Sequence, residues 1–216
     1  IDFYVPQEPH YYRWGTMEGA SRSLGVFAIR MKSDMLAWEK QDGFLVEDKY
    51  CIERGRYCGL IFLLSTRNGE PLALINDGYL QHMRVGACAG LGTKYLARRN
   101  SKVLAMIGSG GMARTYAEAI RQVRPIQVMR VFSPTRANRE TFAAEMTEKL
   151  DMEVIPVDSP EKALKGADIV SLTTDSLVPV IKADWLEPGM HINNVRNNEA
   201  GSDVLARADV KARLGT

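Results

Sequence analysis

The stretch from Lys102 to Ala113, reading Lys-Val-Leu-Ala-Met-Ile-Gly-Ser-Gly-Gly-Met-Ala, constrains the fold more than any other part of the chain. An apolar run suited to a buried strand enters a glycine turn, the turn opens a helix that reaches Gln122, and a second strand follows. Gly108 suits the tight turn, Gly110 lets the backbone come close to a diphosphate, and Ala113 takes the place where the helix packs closely on its strand. Ser109, Gly111 and Met112 complete the loop, and the amides near Gly111 would carry the anion, as helix N-termini do. Such a string is weak evidence alone. Its strand, turn and helix setting makes it a dinucleotide-binding fingerprint.

With 216 residues and a formal net charge of +2, the chain can bury one sizeable core or two smaller ones. Its basic residues are scattered among carboxylates, without the basic stripe and interleaved aromatics that follow a nucleic-acid backbone, so no nucleic-acid partner is expected. No run approaches the roughly 20 apolar residues of a membrane helix, and no charged-then-apolar leader is read. No membrane partner is therefore expected, and the cytoplasm is the expected location. Cys51, Cys58 and Cys88 form neither a CxxC pair nor an even disulfide set, and no histidine lies near them at ligand spacing, so no metal site is expected. The start at Ile1 and the stop just past a helix-like segment give the expectation of a fragment lacking both ends.

Residues 1–25 are rich in aromatics, proline and glycine without clear periodicity, which predicts irregular structure. Strand-like runs follow at 26–32, 60–66 and 71–76, the last two joined by Arg67-Asn-Gly-Glu70, whose Asn-Gly pair favours a hairpin turn. Residues 80–99 place Met83, Ala87, Gly90, Leu91, Tyr95 and Leu96 at helical spacing and end in two arginines, predicting a helix that links two domains. After Asn100 strands at 103–107, 128–132, 153–157, 168–173 and 190–195 alternate with helical segments at 113–122, 137–150 and 160–164. Strands separated by helical spacers imply right-handed crossovers and a parallel sheet. The expected class is α/β: a Rossmann-type doubly wound parallel sheet over 100–216, incomplete at its end, and a second α+β domain over 1–99 with an antiparallel meander.

In such folds the loop after the second strand reads the adenosine ribose, and an acid about 20 residues past the glycines indicates the unphosphorylated dinucleotide. Here the loop is Phe132-Ser-Pro-Thr-Arg136, with no carboxylate until Glu140. Ser133 and Thr135 offer hydroxyls, and Arg136, with Arg139 one turn on, suits charge-assisted bonds to a 2′-phosphate. NADP is therefore preferred to NAD, and the missing acid also argues against FAD. The same residues fit equally well as helix caps and solvated charges. Thr173 and Thr174 end an apolar strand at the crevice where ligands collect, and Asn193 and Asn194 end the last one, although paired asparagines also form ordinary turns.

Five blocks in order, Gly69-Glu-Pro-Leu-Ala-Leu-Ile-Asn-Asp77, His82-Met-Arg-Val-Gly-Ala87 leading to Lys94-Tyr-Leu-Ala-Arg98, the turn from Gly108 to Ala113, Gly166-Ala-Asp-Ile-Val170, and Trp185-Leu-Glu-Pro-Gly-Met-His-Ile-Asn193, resemble the ornithine cyclodeaminase and mu-crystallin family. The resemblance covers roughly residues 25 to 210, and its departures are similar to a branch whose members are called tyramine oxidase subunits. It implies a substrate and dimerisation domain beside a nucleotide domain, a homodimer, NAD or NADP as cofactor, and a small amino or imino acid as substrate.

The resemblance also assigns roles. Arg84, with Val85 where threonine is usual, falls on the arginine that holds the substrate carboxylate, and its planar fork suits bidentate capture. On propensity alone Arg84 reads as a helix-surface arginine paired with an acid. Arg30 falls on a substrate-facing lysine, with Lys32 as a second candidate. Arginine keeps the charge but cannot act as a base near neutral pH. After Val195 the family's glycine-rich loop with its substrate-facing aspartate is shortened, leaving Asn198 in that place and Glu199 at a later family glutamate. Asparagine neither neutralises a cation nor accepts a proton, which argues against ring-closing deamination of ornithine, although Glu199 would substitute if the loop turns inward. The resemblance thus implies an NAD(P)-dependent oxidoreductase of ketimine reductase or amino-acid dehydrogenase type. The alternative is a catalytically altered NADP-binding subunit or ligand-binding protein.

Overall fold

The computed structural model describes residues 2–41, 43–53, 57–196 and 198–213. It divides into two compact units, one of Ile1–Glu39 and Val46–Gln81 and one of Lys40–Leu45 and His82–Thr216.

The first unit is built on a sheet of β1 (Asp2–Gln7), β2 (His10–Ser21), β3 (Val26–Gln41), β4 (Phe44–Tyr50), β5 (Gly59–Ser65) and β6 (Pro71–Asn76), in the order β1-β2-β3-β5-β6 with β4 on β3. The pairs β1–β2, β2–β3, β3–β5 and β5–β6 are antiparallel. The Asn-Gly hairpin closes as the sequence predicts: Gly69 takes φ +77, the Ser65 amide donates to Glu70 O at 2.8 Å, and Asn68 Oδ1 accepts from the Glu70 amide at 3.2 Å.

Three expectations are corrected here. Residues expected to be irregular form β1 and β2; β3 runs nine residues beyond the expected end at Lys32, to Gln41; and β4 was not foreseen. Cross-strand partners supply the reason. Phe3 faces Trp14 with ring centroids 5.8 Å apart, and Arg13 on β2 pairs with the buried Asp34 on β3, so aromatic and ionic contacts hold strands whose local alternation is broken.

The long segment of the second unit begins within α1 (Gly78–Leu96) and alternates β7 (Val103–Ile107), α2 (Gly111–Val123), β8 (Val128–Phe132), α3 (Arg136–Leu150), β9 (Glu153–Pro156), α4 (Pro160–Leu164), β10 (Ile169–Leu172), a 3-10 turn at Ala183–Trp185, β11 (His191–Asn194) and α5 (Gly201–Ala206). The strands form a parallel sheet in the order β11-β10-β7-β8-β9. Both faces are covered, which is why β7 is apolar throughout. Leu104 and Met106 pack in one core with Ala117, Ile120 and Phe142, while Ala105 and Ile107 pack in another with Leu164, Leu172 and Val204. This is the expected α/β architecture.

Helix α1 lies close on α2. A Cβ on Gly86 would sit 2.7 Å from Thr115, and one on Gly90 3.0 Å from the Ala119 Cβ. The C-terminal carbonyls of α1 are met by the buried Arg124, which donates to Lys94 O, Ala97 O and Arg98 O at 2.8, 2.7 and 2.8 Å. Asp168 ties the start of β7, accepting from the amides of Lys102 and Val103 at 2.7 and 3.0 Å and from Arg98 at 2.7 Å. Among the described residues, no helix is long and apolar enough to cross a membrane.

Candidate nucleotide-binding site

The chain leaves β7 toward β8 on one side, while β10 pairs on the other, so the strand order reverses between β7 and β10. Open α/β sheets take their ligands in the crevice outside the carboxyl ends of the strands at such a point. Gly108 ends β7 there with φ +108, and its amide donates to Phe132 O at 2.8 Å. A Cβ on it would stand 2.6 Å from Thr173 O, so only glycine lets the loop pass the end of β10. Thr173 is buried, its amide and hydroxyl both bound to Ile107 O, at 2.8 and 3.1 Å.

Gly110 differs from Gly108 in having open space over it: a Cβ there would meet nothing within 4 Å. Gly110 caps α2 without a side-chain bond, and the first turn of α2 carries no acid. The first-turn amides, which have no partners inside a helix, therefore border an open surface. Ala113 is fully buried beneath them.

Sequence reasoning missed the brace behind this loop. Arg114 donates to Ser109 O at 2.7 Å and Gly110 O at 3.1 Å, and its Nε and Nη2 bind Glu145 on α3 at 2.6 to 3.0 Å. The guanidinium lies 5.3 Å from the centre of the Phe142 ring. Its hydrogen bond holds the Glu145 carboxyl below the ordinary value, against the opposing effect of burial. The carbonyls of the turn are thereby held on the Arg114 side. The one signal in the sequence is an arginine four residues after Gly110.

The loop after β8 lies against the same turn: the Ser109 hydroxyl donates to Ser133 Oγ at 3.0 Å, and Ser133 donates on to Thr135 O at 3.3 Å. Thr135 is the N-cap residue of α3 but its side chain makes no capping bond. The Arg136 side chain is 79% exposed and pairs with Glu140 at 2.6 Å. Arg139 is committed inward, to Ser133 O at 2.9 Å and Pro134 O at 3.1 Å.

Between the loops that follow β10 and β11, Glu199 is fully buried. Its Oε1 accepts from the amide and hydroxyl of Thr174 at 2.6 and 2.8 Å, and its Oε2 from the amides of Val195 and Arg196 at 3.0 and 2.8 Å. The carboxylate read as a substitute for the missing aspartate is thus engaged by the chain's own loop. Asn198 is exposed and donates to Leu177 O at 3.3 Å. Asn193, expected to face the crevice, is engaged by α1 instead, through Thr93 Oγ1 at 3.0 Å, with His191 Nε2 3.1 Å from its Oδ1.

Arg84 is exposed on α1, and its charge and that of Glu199 act in opposite senses on the Tyr116 hydroxyl, which burial pushes up to about 12. In the first unit Arg30 pairs with the buried Asp77, and Lys32 with Asp2 at 2.7 Å. At the carboxyl end of β7 the turn thus meets Ser133 through Ser109 and Thr173 through Gly108, with Thr135 bonded on to Ser133. Arg30 and Lys32 lie in the other unit.

A family model of ornithine cyclodeaminases and mu-crystallins matches residues 53–213. The chain belongs to the ornithine cyclodeaminase/mu-crystallin family. A Δ1-pyrroline-2-carboxylate reductase of Bacillus cereus is 36% identical over 156 residues, 70% of this chain and 48% of the relative. The same enzyme of Thermococcus litoralis, solved with NADH and L-proline, superposes with a TM-score of 0.66 at 32% identity, covering 83% of this chain and 57% of that one. An archaeal alanine dehydrogenase dimer with bound NAD gives 0.72 at 26% identity, covering 89% and 54%. This family member spans about half the length of the curated relatives it matches.

Proposed function

We propose that this chain is part of an NAD(P)-dependent oxidoreductase acting on a small amino or imino acid, of ketimine reductase or amino-acid dehydrogenase type. The supporting observation is the open backbone over Gly110 at the head of α2, at the strand reversal between β7 and β10. The residues fit a dinucleotide: a cradle that a Cβ would fill, amides without acidic competition, and hydroxyls at Ser109 and Ser133 alongside. Related chains of this family are described with NADH and with NAD.

Gly110, Gly111 and Met112 would hold the diphosphate by their backbone, over Ala113, on the turn that Gly108 allows. Ser133, Thr135 and Arg136 would hold the ribose side, and the exposed Arg136 with no acid before Glu140 favours NADP over NAD. Thr173 and Thr174 border the nicotinamide side. The cofactor, when bound, supplies hydride transfer at its nicotinamide ring. Arg84 would bind the substrate carboxylate through its fork, while Arg30 and Lys32 in the first unit are committed to Asp77 and Asp2. Glu199 orients the Thr174 loop by holding its amide and hydroxyl. A homodimer in the cytoplasm is part of the proposal, the dimer supported by the alanine dehydrogenase relative and tested by sedimentation of the whole protein.

A second reading has its own support: Glu199 spends both oxygens on the chain, and Asn198 accepts no proton. A dinucleotide-binding subunit without turnover fits those facts, and true ornithine cyclodeamination fits them least. The test mixes the whole protein with NADPH or NADH and a panel of cyclic imines, and keto acids with amines, following reduced-nicotinamide absorbance. Turnover supports the oxidoreductase; tight binding without turnover supports the second reading. Failure to bind either dinucleotide removes both.

A further inference from the structure

Helix α1 brings a histidine to the glycine turn. Gly111 is the first residue of α2, and a Cβ built on it would stand 2.5 Å from Cε1 and 2.8 Å from Nδ1 of His82. The imidazole therefore occupies the volume that a side chain at position 111 would take. That volume lies beside the first-turn amides, the part of a helix where an anion rests. The ring is half-buried, and among the described residues no hydrogen-bond partner engages it. Gly110, one residue back, is open, and the first turn of α2 carries no acid.

The geometry points to His82 as a diphosphate-contacting residue that donates from α1 to the anion held on the glycine turn. This rests on the dinucleotide reading above and adds to it a donor from outside the β7-α2-β8 unit. An imidazole keeps at least one N–H in either protonation state found near neutral pH, and a bond from it to a phosphate oxygen is charge-assisted. The assignment also gives position 111 its meaning. Glycine there leaves room for a ring contributed by another helix.

The test uses the whole protein and two probes, ADP-ribose, which carries the diphosphate, and adenosine, which does not, with calorimetric titration and thermal melting. His82→Leu keeps bulk and removes the donor. It is expected to weaken ADP-ribose and NADPH binding about tenfold, the scale of one charge-assisted bond, with adenosine affinity and the melting temperature unchanged. His82→Gln restores most of the loss by returning an N–H. Gly111→Ala displaces the ring and gives a similar loss, and combining it with His82→Leu adds nothing further. The proposal is overturned if His82→Leu binds ADP-ribose as the unaltered protein does, or loses adenosine and ADP-ribose equally, the mark of a packing role. If the unaltered protein takes up neither dinucleotide nor ADP-ribose, the cofactor reading itself fails, a result distinct from failure at His82 alone.

Discussion

Glu199 holds Thr174 twice, accepting from its amide at 2.6 Å and its hydroxyl at 2.8 Å on the same carboxylate oxygen. With its other oxygen on the amides of Val195 and Arg196, one buried side chain joins the loop after β10 to the loop after β11. Glu199→Ala leaves three amides and a hydroxyl without an acceptor, at a cost of about 3 kcal/mol. The melting temperature should fall by roughly 6–12 °C, and Glu199→Gln, which keeps one carbonyl, should fall less. Unchanged melting of Glu199→Ala, followed by circular dichroism, would contradict this role.

The two glycines of the turn should separate folding from binding. Gly108→Ala combines φ +108 with a Cβ 2.6 Å from Thr173 O and should destabilise by about 2 kcal/mol or more. Gly110→Ala meets nothing within 4 Å and should melt normally, yet lose at least about tenfold in dinucleotide affinity by filling the diphosphate cradle. Equal dinucleotide affinity in Gly110→Ala and the unaltered protein would place the ligand elsewhere.

The proposed preference for NADP over NAD is tested at Arg136. Arg136→Ala removes an exposed guanidinium from the loop after β8 and should weaken NADPH binding about tenfold, with NADH affected less than about twofold. Equal losses for both dinucleotides, or none, in fluorescence titrations would refute the 2′-phosphate assignment.

Asp168 predicts a pH response. Burial works to raise its pKa, but the amides of Lys102 and Val103 and the charge of Arg98 outweigh it and hold the carboxyl below its ordinary 3.8. A carboxyl depressed in the folded chain contributes stability that is present above 3.8 and is lost as the pH falls through the lower folded value. Urea midpoints should therefore drop less steeply in Asp168→Asn than in the unaltered protein as the pH falls from 3.8 through that value. Parallel curves would show that the carboxylate contributes nothing there.

The parallel half was legible because its signals are local. Val103 to Ile107 is apolar without interruption because both its faces are buried, and the glycine turn follows it directly. The hairpin at Asn68-Gly69 was legible for the same reason. Strands β1 and β2 were not, since what holds them is Phe3 against Trp14 and Arg13 against Asp34, partners separated in sequence by other strands or turns. An aspartate in mid-strand reads as a loop until its arginine is known. At the site, the brace from Arg114 to Glu145 spans 31 residues and the Glu199 bond to Thr174 spans 25, distances that no local pattern reports. The sequence leaves open whether Glu199 turns toward a substrate, because its chemistry is visible there and its hydrogen-bond donors are not.

Helix α2 is fastened at both ends, by Arg114 at its first turn and by Arg124 at its last. Clasps of this kind limit how far the helix can shift, so a ligand docking at its head would forfeit little chain entropy. Hydrogen exchange across its amides should already be slow without any ligand present.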